Sequence, residues 1–201
     1  MISKPETEGW LGKYSHNQFE NYQIEEYNSA LKYVKNFRTS LDLGANLGIM
    51  SARMVKDFKM VHAFEPLFYD HLQKNVKTDN IKIYPHAVGE KQKTVTMRIG
   101  HYHSGGSNIV DHLAIGKDYK NVQVVTIDSY DIPDVDFIKI DVEGYEWNAI
   151  QGAKKTIKNN EPVLLVELKQ NNKNYNDIIY FFKNLNYNYK SVGEIDTVFY
   201  K

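Results

Sequence analysis

The feature that most constrains the fold is a regular alternation between short apolar segments and longer segments with apolar residues at helical spacing. Strands and helices that alternate along a chain are joined by right-handed crossovers and form a mostly parallel sheet covered on both faces. An α/β fold with a doubly wound sheet is therefore expected. In chain order, the predicted strands are TSLDLG, MVHAFEP, IKIYPHAV, DFIKID and PVLLVEL, and the predicted helices are LGIMSARMVKDF, PLFYDHLQKNVKTDN, YEWNAIQGAKKTIKN and NDIIYFFKNL.

Three segments depart from this alternation. Residues 17–37 precede the first strand and have the apolar spacing of an amphipathic helix. The strand patterns KTVTMRIG and NVQVVTID flank a loop-like stretch and predict a β-rich insertion at about residues 94–127. The final segment, NYNYKSVGEIDTVFYK, predicts an antiparallel hairpin. The 201 residues are expected to form one domain, 1–201, with a helical segment at 1–38 and an α/β core at 39–201.

Composition excludes several classes of site and partner. Lysine plus arginine and aspartate plus glutamate both number 25, so the overall charge gives no basic footprint for nucleic acid. The absence of cysteine excludes disulfides, thiolate zinc sites and a cysteine nucleophile. No run of ~20 apolar residues predicts a membrane span, and the first residues lack a signal-peptide pattern, so a cytoplasmic location is expected.

The segment SLDLGANLGIM joins the first core strand to a helix through two glycines. In parallel sheets, ligands bind beyond the carboxyl ends of the strands, close to the positive N-termini of helices. Gly44 and Gly48 allow positive φ and close approach of a ligand, although a tight turn without a ligand explains the same residues. Glu65 ends the next strand, 23 positions after Asp42, where such sheets place an acid that binds ribose hydroxyls.

The spacing of the glycines separates the candidate ligands. GANLG lacks the middle glycine of the G-x-G-x-x-G pattern, which lets a pyrophosphate approach the backbone. A dinucleotide is therefore disfavoured relative to a nucleoside ligand without phosphates, such as S-adenosylmethionine. Three functions stay open: a methyltransferase, a non-catalytic module that binds S-adenosylmethionine or a nucleoside, and, less favoured, an NAD-dependent oxidoreductase.

An ordered set of motifs between Ser40 and Leu168 resembles the FkbM-type family of S-adenosylmethionine-dependent methyltransferases. The motifs are LDLGANLG, VHAFEP, HAVGE, TIDSY, IKIDVEGYEWNAIQGA and PVLLVEL. The resemblance implies a class I methyltransferase (Rossmann-like) fold and S-adenosylmethionine as the cofactor. It also implies O-methylation of a hydroxyl on a small molecule, sugar or glycan.

The resemblance further implies which residues bind the cofactor. Asp42 carries a charge that can face the ammonium group of the cofactor, and Glu65 is expected on the ribose. The stretch from His86 to Val88 is expected against the adenine, although His86 itself is equally explained as a surface histidine. The implied cofactor-binding set is Asp42, Gly44, Asn46, Gly48, Glu65, Ala87 and Asp141.

Candidate catalytic residues follow from the needs of methyl transfer to a hydroxyl, which requires alignment and a base for the proton. Asp141, Glu143 and His103 are predicted as catalytic residues, with His101 as a further candidate base. Asp141 and Glu143 could instead cap the helix that follows them. Glu146 is expected to be a solvated helix residue.

The acceptor side of the site is predicted from two other segments. Glu167 ends a strand expected to neighbour the one ending at Asp141, so the two carboxylates are candidate ligands for Mg²⁺. Without metal, Glu167 could bind substrate hydroxyls. The loop HYHSGGSNIV is predicted to contact the acceptor, although a glycine-rich surface loop is an equal reading. The predicted substrate set is His101, Ser104, Ser107, Asn108 and Glu167.

Overall fold

The computed structural model describes residues 21–99, 108–110, 116 and 118–201. Their strands fall into two sheets, and helices cover the larger of them. The strands are β1 (Thr39–Leu43), β2 (Met60–Phe64), β3 (Ile81–Tyr84), β4 (Ala87–Val88), β5 (Lys93–Arg98), β6 (Asn108–Val110), β7 (Tyr119–Val125), β8 (Val135–Ile140), β9 (Val163–Glu167), β10 (Asn188–Val192) and β11 (Asp196–Tyr200). The α-helices are α1 (Ile24–Leu31), α2 (Ile49–Asp57), α3 (Tyr69–Asn75), α4 (Glu146–Gly152), α5 (Lys154–Asn160) and α6 (Tyr175–Asn184), and a 3-10 helix spans Ile127–Tyr130.

The larger sheet has the strand order β10-β11-β9-β8-β1-β2-β3 among the described residues. Strands β3, β2, β1, β8 and β9 pair in parallel, and β11 pairs antiparallel with both β9 and β10. The predicted parallel sheet and C-terminal hairpin are therefore confirmed. Because the chain runs from β1 to β2 on one side and reaches β8 on the other, the strand order reverses beside β1. This reversal is where doubly wound sheets bind ligands.

Apolar side chains cover both faces of this sheet. On one face, Ile138 of β8 belongs to a buried cluster with Ile150 of α4 and Phe182 of α6. On the other face, Phe137 of the same strand clusters with Met54 of α2. Adjacent residues of β8 thus serve opposite faces, as the alternation of side chains along a strand requires. The described helices include none that is both long and apolar enough to cross a bilayer.

The smaller sheet contains the predicted β-rich insertion and has the order β4-β7-β5-β6. Strand β5 pairs antiparallel with β7, and β4 pairs parallel with β7. The prediction of a single strand over IKIYPHAV is wrong, because this segment divides between the two sheets. Pro85 stands between β3 and β4 and has no N–H group for a ladder hydrogen bond, so pairing stops there.

Three predicted helices have different bounds in the structure. For the helix predicted over residues 17–37, the described residues contain α1 from Ile24 to Leu31, preceded by Gln23 with a left-handed backbone, φ 49°. Helix α3 begins at Tyr69 rather than at Pro66, because the Glu65 carboxylate accepts hydrogen bonds from the backbone N–H groups of residues 67 and 68 and holds them in a turn.

The segment YEWNAIQGAKKTIKN forms two helices, α4 and α5, instead of the one predicted. The break lies at Ala153, and the cause is a distant side chain. Asp128 accepts hydrogen bonds from the backbone N–H groups of Lys155 and Thr156, at 2.9 and 2.8 Å. The first N–H groups of a helix have no partner within it, so these two bonds to Asp128 mark the start of a new helix.

Candidate active site

A cleft opens at the carboxyl ends of β1, β2, β8 and β9, beside the reversal of strand order. One of its walls is apolar and comes from the β2–α3 loop and the smaller sheet, and the other is polar and comes from the strand ends. The lining residues are Tyr22, Gly44, Asn46, Phe64, Glu65, Pro66, Leu67, Phe68, His86, Ala87, Val88, Met97, Ile109, Asp141, Val142, Glu143, Tyr145 and Glu167.

The turn after β1 forms the floor of the cleft. Gly44 and Ala45 both donate backbone hydrogen bonds to the carbonyl oxygen of Phe64, so the turn is fixed against the end of β2. Asn46 is left-handed, with φ 52°, and its buried side-chain Oδ1 has no hydrogen-bond partner among the described residues. A buried acceptor without a partner costs about 1–3 kcal/mol. Oδ1 of Asn46 is therefore an acceptor that a donor from outside the described residues could satisfy, and its contact with the cofactor stays a prediction.

Asp42 and Gly48, which are predicted to bind the cofactor, lie behind this turn rather than in the cleft lining. Asp42 is fully buried, and one of its oxygens accepts a 2.6 Å hydrogen bond from the Ser51 hydroxyl. Its other oxygen, Oδ1, is buried without a partner among the described residues. Gly48 precedes α2 and faces side chains of α3 instead of the cleft. For both residues, binding of the cofactor stays a prediction.

Glu65 connects the two loops that border the cleft. Its Oε2 accepts a 2.9 Å hydrogen bond from the backbone N–H of Asn46, in the turn after β1. Its Oε1 accepts bonds from the N–H groups of Leu67 and Phe68, at 2.7 and 3.0 Å, in the loop after β2. The carboxylate also lines the cleft, so it can accept hydrogen bonds from a ligand while it holds both loops.

Replacing Glu65 by alanine is expected to weaken both the fold and ligand binding, because three backbone donors lose their acceptor. Each unpaired buried group costs about 1–3 kcal/mol. Urea denaturation measures the free energy of unfolding, and calorimetric titration with S-adenosylhomocysteine measures affinity. The exposed Glu90 provides the matched control Glu90→Ala, for which both quantities should be unchanged. Wild-type stability and affinity in Glu65→Ala would contradict the role of this carboxylate.

The apolar wall suits a flat heterocycle. Phe64, Phe68, Ala87 and Val88 are all buried and face the cleft. His86 also lines the cleft, and its Nδ1 is 2.9 Å from the Tyr130 hydroxyl, so the imidazole is held by a partner rather than free at the surface. The predicted stretch from His86 to Val88 therefore lines the cleft, and its contact with adenine stays a prediction.

The polar wall contains a row of ionisable side chains on one face of the larger sheet. Asp42 of β1 stands opposite Lys139 of β8, and Asp141 follows two residues later on the same face. Glu167, at the end of β9, stands opposite Asp196, at the start of β11. Four members of this row are buried, and the side chain of the fifth, Asp141, is only 15% exposed. Four neighbouring strands thus place their ionisable groups side by side.

Lys139 is the cation of this row, and its Nζ lies 2.9 Å from Oδ2 of Asp141. Burial opposes the charge of Lys139, but Asp141 and Asp42 outweigh it and raise its pKa. Burial likewise opposes ionisation of Asp141, but Lys139 and a hydrogen bond with Glu167 lower its pKa. Burial, followed by the charge of Asp141, raises the pKa of Glu167 to about 8. At neutral pH, Asp141 is ionised and Glu167 is mostly protonated.

The sequence reasoning missed Lys139, although the segment FIKID carries a signal for it. A lysine between two isoleucines of a buried strand must share its face with residues two positions away, and Asp141 is one of them. Lysine is almost never fully buried unless it is paired. The pattern therefore contained both the burial of the lysine and its partner.

Glu143 lies in the loop between β8 and α4 and has a left-handed backbone, with φ 51°, a conformation that is strained for a residue other than glycine. Its side chain lines the cleft and makes no hydrogen bond to another described residue. Burial, followed by the charge of Asp141, raises the pKa of Glu143 to about 7. A carboxylate with this pKa can accept a proton near neutral pH, which is the requirement for a general base.

Glu146, the first residue of α4, is held by hydrogen bonds from two neighbouring loops. Its Oε1 accepts a 2.7 Å hydrogen bond from the backbone N–H of Gly144, and its Oε2 accepts a 2.9 Å bond from the side chain of Asn172. With only 2% of its surface exposed, it is not the solvated residue predicted. Asp141 and Glu143 both line the cleft.

The predicted magnesium ligands do not form a metal site. Asp141 and Glu167 are hydrogen-bonded to each other, and they pair with Lys139 and Lys169 respectively. A divalent cation between them would meet two ammonium groups and a shared proton, so the carboxylates do not fit Mg²⁺. The described residues contain no group of three or more histidine, aspartate or glutamate side chains arranged to hold a metal.

Most of the predicted acceptor loop lies outside the described residues. His101, His103, Ser104 and Ser107 fall there, so their catalytic and substrate roles stay predictions. Asn108 begins β6, which pairs with β5, and the next residue, Ile109, lines the cleft with an apolar side chain.

Comparison with protein families identifies one that covers most of the chain. The family described as "Methyltransferase FkbM domain" matches residues 42–189. Comparison with curated proteins gives no significant match.

Solved structures with the same fold include an FkbM methyltransferase from Methylobacillus flagellatus KT, at a TM-score of 0.59 and 19% identity. The match covers 82% of this chain but only 44% of that protein. Precorrin-6y C5,15-methyltransferase from Geobacter metallireducens GS-15 matches at a TM-score of 0.51 and 12% identity, covering 87% of this chain and 86% of that one. Precorrin 8w decarboxylase from Methanobacterium thermoautotrophicum matches at 0.52 and 10% identity, covering 88% of both chains.

Proposed function

Because the chain belongs to the FkbM family of S-adenosylmethionine-dependent methyltransferases, we propose that it transfers a methyl group from this cofactor to a hydroxyl oxygen of a small molecule or saccharide. The observation that carries the proposal is the composition of the cleft. The apolar wall suits adenine, and the carboxylate of Glu65, after β2, can accept hydrogen bonds from ribose hydroxyls. Oδ1 of Asn46 can accept a hydrogen bond from a further group of the ligand. These three features match the three parts of S-adenosylmethionine.

The same cleft disfavours a dinucleotide. Asn46 stands where the G-x-G-x-x-G pattern has its middle glycine, and its backbone N–H donates to Glu65. A pyrophosphate would need this N–H and would approach the Glu65 carboxylate. The floor of the cleft is therefore built for a ligand without phosphates, which supports the methyltransferase over the oxidoreductase.

The polar wall supplies the chemistry of the proposed reaction. S-adenosylmethionine supplies an electrophilic methyl group, so the protein has to align the acceptor oxygen and remove its proton. Glu143 accepts that proton as the oxygen forms its bond to the methyl carbon and the bond from carbon to sulfur breaks. Asp141, held ionised by Lys139, orients the acceptor hydroxyl, and the protonated Glu167 donates a hydrogen bond to Asp141.

Thermal unfolding in the presence of different ligands tests the cofactor assignment. A ligand that binds only the folded state at a hundredfold excess over its Kd adds about 2.7 kcal/mol of stability, or roughly 5–11 °C in Tm for a chain of this size. S-adenosylmethionine and S-adenosylhomocysteine are expected to raise Tm in this way, and NAD is expected to leave it unchanged. Stabilisation by NAD alone would overturn the proposal.

A further inference from the structure

A second cavity lies beside the cleft, over the loop that joins β9 to α6. Its lining residues are Glu143, Gly144, Glu146, Glu167, Lys169, Asn171, Asn172 and Lys173. Glu143 and Glu167 line both the cleft and this cavity, so the two spaces meet at the proposed base. A molecule in the second cavity would therefore adjoin both Glu143, the proposed base, and Glu167.

We propose that this second cavity binds the acceptor and that the acceptor is a saccharide. The proposal rests on the proposed function and names its substrate class. The β9–α6 loop is then the part of the described chain that selects the acceptor.

The lining of the second cavity excludes apolar acceptors. Apart from Gly144, every lining residue has a carboxylate, amide or ammonium group, and none has an apolar side chain. Burial of apolar surface contributes about 25 cal/mol per Å². This gain is offset where the same burial takes polar groups out of water and leaves them without hydrogen bonds. An aromatic or aliphatic acceptor would leave these polar groups unpaired, at about 1–3 kcal/mol each. Hydroxyl groups both donate and accept, so a polyol pairs with all three kinds of side chain.

Charge favours a neutral acceptor over an ionic one. Burial raises the pKa of Glu143 to about 7 and that of Glu167 to about 8, so near neutral pH these two carboxyls are partly or mostly protonated. The charges of Lys169 and Lys173 stand against the carboxyl groups of Glu143, Glu146 and Glu167 in the same lining. The lining thus presents donors and acceptors of mixed sign without a strong excess of either charge, which suits hydroxyl groups better than a phosphate or an amine.

In the β9–α6 loop, one side chain is held by hydrogen bonds within the protein, and two others can contact a ligand. Asn172 donates to Glu146 and accepts from the backbone N–H of Asn174, both at 2.9 Å, and so anchors the loop. The side chains of Asn171 and Lys173 are exposed and make no hydrogen bond to a described residue. These two side chains flank the anchor and line the cavity, so they can bind a ligand without loss of structural contacts.

Nuclear magnetic resonance of the ¹⁵N-labelled chain tests the proposal in two steps. S-adenosylhomocysteine is added first and is expected to shift resonances of the cleft. Methyl α-D-glucopyranoside, methyl α-D-mannopyranoside and methyl α-L-fucopyranoside are then added separately, with maltotriose, n-hexanol, catechol and inorganic phosphate as further arms. At least one saccharide is expected to shift the amide signals of Asn171, Asn172 and Lys173. Tighter binding of maltotriose than of the methyl glycosides would indicate an extended glycan, and the reverse a free sugar.

Two double variants locate the binding. Asn171→Ala with Lys173→Ala is expected to weaken saccharide binding roughly tenfold, the loss that two hydrogen bonds represent. Asn188→Ala with Lys158→Ala, which changes exposed residues of the same types elsewhere, should leave the saccharide affinity unchanged. S-adenosylhomocysteine should bind both double variants as it binds the wild type.

The outcomes separate this inference from the function on which it rests. If S-adenosylhomocysteine binds but no saccharide shifts these signals up to its solubility limit, the saccharide proposal is overturned and the methyltransferase proposal stands. Shifts caused by hexanol, catechol or phosphate without any by a saccharide also overturn it. If S-adenosylhomocysteine fails to bind, the proposed function itself fails.

Discussion

Replacing Gly44 by alanine is expected to prevent the chain from folding to a stable native state. A Cβ atom at Gly44 would lie 1.9 Å from the carbonyl oxygen of Asp141, and the residue has φ +85°. Because the clashing atom belongs to the backbone of a neighbouring strand end, no side chain can move to make room. We expect a loss of more than about 4 kcal/mol in the free energy of unfolding, measured by urea denaturation, or loss of soluble protein.

Gly144 provides the matched control, because it has nearly the same backbone conformation and open surroundings. Its φ is +89°, and nothing lies within 4 Å of a Cβ built there. Gly144→Ala should therefore cost only the left-handed conformation itself, roughly 1–2 kcal/mol. Equal losses of stability in the two variants would show that the close approach of Gly44 to Asp141 does not explain the need for glycine at this position.

Replacing Glu143 by glutamine is expected to lower kcat by about 10²–10⁴-fold, the usual contribution of a positioned general base. The base must be deprotonated to act, and its pKa is raised to about 7. In the wild type, kcat should therefore rise as pH increases through about 7 and level off above it. Glutamine cannot titrate, so the residual rate should lose this rise. Release of S-adenosylhomocysteine in the presence of a methyl acceptor measures both effects.

Two controls separate proton transfer from folding and binding. Glu194→Gln changes an exposed glutamate and should keep the wild-type rate and pH profile. The affinity of Glu143→Gln for S-adenosylhomocysteine should stay close to that of the wild type. A variant at Glu143 that keeps the wild-type rise in kcat with pH would remove this residue from the role of base.

The elements that could be predicted from the sequence are those set by periodicity. Alternating apolar segments gave the parallel strands, and the turn around Gly193 gave the hairpin of β10 and β11. The errors arose where a distant group decides the backbone. Asp128 starts α5 from 27 residues away, and Pro85 divides β3 from β4 between two sheets. Local patterns contain no information about such partners.

The candidate site follows the same division. The strand ends predicted to converge do so, because Glu65, Asp141 and Glu167 all line one cleft. The sequence could not show that Lys139 would join Asp42 to Asp141, since this depends on the register of β1 against β8. It also could not show that Asn172, far along the chain, would meet Glu146 and create a second cavity.

The three hydrogen bonds that Glu65 accepts have a consequence for the energetics of binding. They hold the turn after β1 and the loop after β2 in position through groups of the protein alone. A ligand that enters the cleft therefore finds its surroundings already arranged and spends little of its affinity on ordering them. The same rigidity limits which molecules bind, because a cleft that cannot rearrange excludes ligands of a different shape.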